Sequence, residues 1–248
     1  MTRNLKLTLL AAAAAAVFAS SGASAYSIFF GQDLGLGEGT PLPVASRVNS
    51  TAAQNTFLSN LIGVGTETFE GFATGTSAPL NLSFPGAGTA TLGGTGAIAT
   101  VTPGTTNGVG RYAISGSNFW EVSSGNFTIG FSNPVAAFGF WGVDIGDFNG
   151  QVTLQLQSGA VVNLIVPNST NIAGGSVLYY GLIAEGAGEL FTSITFGNTN
   201  PGVDFFAFDD MTIGSLQQVR PTPEPGSLAL FGLAAALAGA VVRIRRRT

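Results

Sequence analysis

From residue 65 onward the chain repeats one pattern, a short run rich in Val, Ile, Phe and Thr followed by Gly, Asn, Ser or Pro. Such runs, bounded by turn formers, predict β-strands. They fall at Glu67–Phe72, Leu80–Phe84, Ala97–Val101, Arg111–Ile114, Phe119–Val122, Phe127–Phe131, Val135–Val143, Gln151–Gln157, Val161–Val166, Val177–Ile183, Thr192–Phe196 and Val203–Ile213. Gln151–Gln157 alternates strictly, which turns Val152, Leu154 and Leu156 to one face. Asn149-Gly150 before it is a hairpin turn signal, and Ser158-Gly159 after it reverses the chain into the next run. Gly86–Gly96 reads equally as a flexible loop or an edge strand. Many short strands with Gly-rich turns and no repeat of fixed period predict an all-β fold, an antiparallel β-sandwich of jelly-roll type.

Ahead of residue 65 the period changes. Ala53, Phe57, Leu58, Leu61 and Ile62 recur at three- and four-residue spacing, which predicts one short amphipathic helix from Asn49 to Ile62. Thr51 with Gln54 has the spacing of a capping box, and Gly63 suits the position after the helix. Residues Ser27 to Arg47 show no sustained period and read as an irregular arm. The chain thus divides into an arm and helix at 26–64, a sandwich at 65–216 and a Pro-bearing linker at 217–222, with distinctive segments at both ends.

At the N-terminus, Arg3 and Lys6 precede an apolar run from Leu7 to Phe18 and the small-residue site Ala23-Ser24-Ala25. This is the build of a secretory signal peptide spanning 1–25, with cleavage after Ala25. At the C-terminus, residues 223–248 begin with Pro223-Glu224-Pro225. Seventeen uncharged residues follow, from Gly226 to Val242, and then the basic cluster Arg243, Arg245, Arg246 and Arg247. Seventeen residues at about 1.5 Å each are near the lower limit for a transmembrane helix. The basic cluster behind them stays cytoplasmic, which places everything before Pro223 outside.

This Pro-Glu-Pro box, apolar helix and Arg cluster resemble, part by part, the PEP-CTERM sorting signal of Gram-negative bacteria that produce exopolysaccharide. The resemblance implies a partner, a membrane protease of the exosortase type, which recognises the tail and releases the protein to the envelope or extracellular matrix. An ordinary C-terminal anchor is the alternative. The body also looks like the jelly-roll cargo of such surface proteins, in the stretches Ala137–Asp147 and Asp204–Gly214.

Composition narrows the chemistry. The segment from Tyr26 to Arg220 has no Cys, His or Lys, which removes Ser-His-Asp triads, thiol nucleophiles, Schiff bases and His- or Cys-bound zinc. Its three basic residues (Arg47, Arg111, Arg220) stand against twelve acidic ones, a net charge of −9. A nucleic-acid partner is excluded by that balance, because phosphate binding needs a basic footprint. A carboxylate pair of glycosidase type is the one enzymatic option left, and no arrangement of Glu70, Glu121, Asp144, Glu185 and Glu189 points to it.

Two further features bear on ligands. Thr68–Phe72, carrying Glu70, and Phe208–Ile213, carrying Asp209 and Asp210, resemble the first and last strands of lectin-like jelly rolls. That resemblance implies one structural calcium ion shared by Glu70 and Asp209 or Asp210, whose oxygens suit calcium. In period 2, Asp209 falls on the face of Met211 and Ile213 and is expected to point inward, where a carboxylate needs a partner. The alternative is a set of solvated strand-end charges. Asp144, Asp147 and Asn149 share one turn but lack EF-hand spacing, and are expected to satisfy their own backbone. Trp120 and Trp141 are expected in the core, the alternative being an aromatic platform for a sugar ring. Function is accordingly expected to be structural or adhesive and non-catalytic, in the envelope or exopolysaccharide matrix. Recognition of a specific extracellular glycan is the alternative.

Overall fold

The computed structural model describes residues 26–36, 47–123, 125, 127–145, 150–169, 175–198 and 205–221. Its strands are β1 (Tyr26–Leu34), β2 (Thr66–Glu67), β3 (Leu80–Phe84), β4 (Gly88–Gly93), β5 (Ala97–Thr100), β6 (Asn118–Ser123) and β7 (Thr128–Val135). They continue with β8 (Ala137–Val143), β9 (Gly150–Leu156), β10 (Val161–Ile165), β11 (Ser176–Ala184), β12 (Phe191–Asn198) and β13 (Phe205–Gly214). One helix, α1 (Val48–Ser59), lies between β1 and β2.

The strands form two antiparallel sheets packed as a sandwich. One has the order β1-β11-β8-β13-β6-β5, with β2 pairing β13, and the other β10-β9-β12-β7-β4-β3. From β6 on, the chain changes sheet at almost every strand, as in a jelly roll. Burial explains the layers. In β3, Leu80, Leu82 and Phe84 are buried while Asn81 and Ser83 are exposed, so the second sheet keeps one face in water. β8 and β11 are buried at every position, because both of their faces are covered. The inner face packs Phe138, Phe140 and Phe208 against Phe127 and Phe196 from the other sheet. The outer face lies under α1 and the stretch from Val101 to Ile114.

A glycine pair seats the helix. Gly139 of β8 lies directly opposite Gly181 of β11, and a Cβ on either would run into Phe57 of α1. With only hydrogens there, the fully buried Phe57 ring drops onto the sheet and meets Tyr179 and Phe29 at ring distances of 5.8 and 5.7 Å.

Several sequence expectations change. Residues 26–34 are no irregular arm but the edge strand β1, paired with β11 along its whole length. The helix begins at Val48 and has no capping box; Asp33 of β1 caps it instead, accepting the N–H groups of Asn49 (3.0 Å) and Ser50 (2.9 Å). A capping residue from another strand has no local sequence signature. Ile62 is exposed and not part of the helix's buried face. The Gly86–Gly96 stretch holds β4, an interior strand between β3 and β7. Residues 111–114 form no strand, since the Ile114 N–H goes to a carboxylate and not to a neighbouring strand. The run Glu67–Phe72 shortens to β2, because Phe69 takes a φ of 61° and turns its buried ring into the sandwich. Val152 and Leu154 are fully buried and Leu156 nearly so, as their alternation requires.

Candidate functional site

Glu70, Asp209 and Asp210 converge, and their meeting point is the loop from Ile114 to Asn118. Asp209 accepts the N–H groups of Ile114 (2.7 Å) and Ser115 (3.3 Å), and on its other oxygen that of Asp210 (2.8 Å). Glu70 accepts the next pair of N–H groups, from Ser117 (2.8 Å) and Asn118 (2.6 Å), and the Ser117 hydroxyl at 3.2 Å. Asp210 takes the Ser115 hydroxyl at 2.5 Å. Four amides of one loop are thereby held by carboxylates from the two ends of the sandwich. Gly116 makes the approach possible: its φ is +61°, and a Cβ there would collide with the Glu70 carboxylate.

The local fold of β13 explains how two adjacent aspartates reach one serine. Side chains alternate across a regular strand, but β13 carries a register shift between Asp209 and Thr212, and Asp210 has a φ of 46°. The bulge brings both carboxylates to Ser115. The cost is electrostatic. Asp209 is fully buried, and its pKa is pushed well above the usual carboxylate range by desolvation first and by the Asp210 charge second. Asp210 is also raised, chiefly by burial, with Glu70 adding to the effect and Arg47 opposing it. Arg47 donates both terminal nitrogens to the Ile114 carbonyl at 3.2 Å and stacks 5.5 Å from the Trp141 ring.

Two effects bear on calcium here. A divalent cation would relieve the repulsion between two buried carboxylates, which burial makes expensive. Against it, Asp209 already accepts three N–H groups. Among the described residues no group of three Asp, Glu, His or Cys side chains is placed to hold a metal. The geometry makes the trio a clamp on the loop in its own right.

The remaining candidates are structural. Asp144 pairs with Arg111 at 3.3 Å, and Arg111 binds Glu121 at 2.6 Å, which commits both carboxylates. Asp147 and Asn149 lie outside the described residues. Trp120 and Trp141 are 0% and 2% exposed, so neither ring forms a surface platform. Sequence reasoning missed Arg47, Ser115, Gly116 and Asn118. Arg47 alone had a signal, as one of three cations among twelve acidic groups.

The sorting-signal residues Pro223, Glu224, Pro225, Arg243, Arg245, Arg246 and Arg247, and the cleavage residues Ala23 and Ala25, lie outside the described residues. Among those described, no helix is long and apolar enough to cross a membrane. The C-terminal segment is decided by sequence comparison: the PEP-CTERM protein-sorting motif matches residues 221–247. The chain carries a PEP-CTERM sorting motif. It is exported and sorted by exosortase, and processed at the membrane for the cell surface. No curated protein matches the chain. Among solved structures, the K2 cleaved adhesin domain of Lys-gingipain is similar at 16% identity, over 60% of this chain and 97% of that one, with a TM-score of 0.38. The family 11 carbohydrate-binding module of a cellulosomal cellulase of Clostridium thermocellum is similar at 13% identity, over 66% and 99%, with a TM-score of 0.29.

Proposed function

We propose that this PEP-CTERM protein is a non-catalytic structural or adhesive component of the cell envelope or exopolysaccharide matrix. The observation that carries the proposal is the sorting motif at residues 221–247, behind a body with no His, Cys or Lys. Five acidic groups in that body act on the protein itself. Glu121 and Asp144 hold Arg111, and Glu70, Asp209 and Asp210 hold the loop 114–118. A surface protein whose work is mechanical needs such internal ties more than it needs reactive groups. Calcium belongs to the same proposal, as an ion shared by Glu70 with Asp209 or Asp210 that would fasten the two ends of the sandwich.

Intact-mass measurement on material released from a host with an exosortase tests the proposal, combined with fractionation of cells and matrix. A chain beginning at Tyr26, lacking Arg243–Arg247 and recovered with the matrix is the expected result. Retention of the whole tail in released protein overturns the processing, and recovery from the cytoplasm overturns the placement. A second reading, recognition of an extracellular glycan, is favoured by one feature: a groove beside Arg220.

A further inference from the structure

We infer that this groove binds a saccharide carrying a carboxylate, such as a uronic-acid unit, through Arg220. The inference rests on the glycan-recognition reading and gives it a site and a ligand class.

The groove has a volume of about 610 Å³, within the roughly 300–1,000 Å³ usual for small-molecule sites. It lies where the first strand, the end of the helix and the last turn of the body meet. Phe29, Ile183 and Val219 give it apolar walls; Ser27, Asn60, Glu185 and Arg220 give it polar ones. That mixture suits a sugar ring, which presents C–H groups on its faces and hydroxyls at its edge. Ser27 donates to Glu185 at 3.3 Å, so one acceptor in the groove is already oriented. Glu185 supplies an acceptor for hydroxyl groups, and the Asn60 side chain, whose nitrogen already donates to the Thr56 carbonyl at 2.8 Å, keeps a second N–H and its oxygen for them.

Arg220 selects the class. The exported body has three cations. Arg47 is tied to the Ile114 carbonyl and Trp141, and Arg111 to Glu121, Asp144 and Phe205. Arg220 is exposed, and no side-chain partner is present among the described residues. Its backbone is fixed all the same: the Arg220 N–H bonds the Asn60 carbonyl at 2.8 Å. An accessible guanidinium presents a planar fork that matches a carboxylate in two hydrogen bonds. A body of net charge −9 repels polyanions at long range. The site therefore favours single carboxylates spaced along a glycan over densely sulfated chains.

The test is isothermal titration calorimetry on the exported, processed protein. Its probes are tetramers of galacturonate, of mannuronate and of hyaluronan, with cellotetraose as the neutral control and a heparin tetramer as the dense polyanion. At least one uronate tetramer is expected to bind ten-fold or more tighter than cellotetraose and than heparin. Arg220→Gln should abolish that preference with the melting temperature unchanged, and Arg220→Lys should keep part of it. Binding of none of the three uronates, equal binding of cellotetraose, or wild-type affinity in Arg220→Gln would each overturn the inference. The matrix placement is judged by mass and fractionation alone, so it stands or falls separately.

Discussion

The pair Asp209–Asp210 makes the stability of the body depend on pH in an unusual direction. Both pKa values are raised on folding, whereas both groups titrate near 3.9 in the unfolded chain. Between the two limits the folded state holds more protons than the unfolded one, so the pair's contribution falls as pH rises. That contribution is fully present below about pH 4 and is lost as pH climbs through the raised values. Each unit of elevation on one group is worth about 1.4 kcal/mol at neutral pH. About 1 kcal/mol moves the melting midpoint of a domain this size by roughly 2–4 °C, so one unit on one group amounts to about 3–5 °C. The perturbation that isolates the pair is Asp210→Asn. It removes the like charge beside Asp209 but keeps an oxygen to accept the Ser115 hydroxyl, now at 2.5 Å. The assay is a series of melts from pH 4 to 8 in the presence of a chelator, read as variant minus wild type. The difference should be positive at pH 7, by about 3–5 °C for each ~1.4 kcal/mol of repulsion removed, and shrink toward zero near pH 4. A difference that is flat with pH, or that grows on acidification, would refute the reasoning.

Calcium added to metal-stripped protein should raise the midpoint as RT ln(1 + [L]/Kd), about 2.7 kcal/mol at a hundred times Kd. Chelation should reverse it and Glu70→Gln should abolish it; a midpoint indifferent to both ions and chelator leaves the trio as a loop clamp only. Phe57→Ala empties the seat over Gly139 and Gly181 and should cost about 3–5 kcal/mol in a denaturant melt. A loss below about 1 kcal/mol would mean that the helix is not held by that ring. Replacing Arg245, Arg246 and Arg247 with Ala removes charges that the positive-inside rule would hold in the cytoplasm. Unprocessed or mislocalised precursor is the expected result in fractionation, and normal release would remove the cluster from the signal.

What the sequence disclosed follows the range of the forces involved. Alternation in Leu80–Phe84 and Gln151–Gln157 is a local record of one wet face and one dry face, and both strands stand where it put them. β1 left no such record. Its Ser27, Gly31, Gln32 and Asp33 serve contacts with Glu185, α1 and Ser176, which lie far away in sequence. The candidate trio was legible in identity but not in use. Glu70 and Asp209 could be paired from their places near the two ends of the sandwich. That each would grip a different half of residues 114–118 depends on a bulge at Asp210 and a left-handed Gly116. Neither is written in the spacing of the acidic residues.

The place of β13 has a consequence in time. It is the last strand to be synthesised, yet it sits between β8 and β6 in the middle of its sheet. None of the pairings that join the two halves of that sheet can form until residue 214 is available. Long-range pairing of this kind is also slow in itself. The sheet built from β10, β9, β12, β7, β4 and β3 can be complete before then, whereas the other stays in two parts until β13 arrives. The sandwich closes only when the segment that adjoins the sorting motif at residues 221–247 has been made.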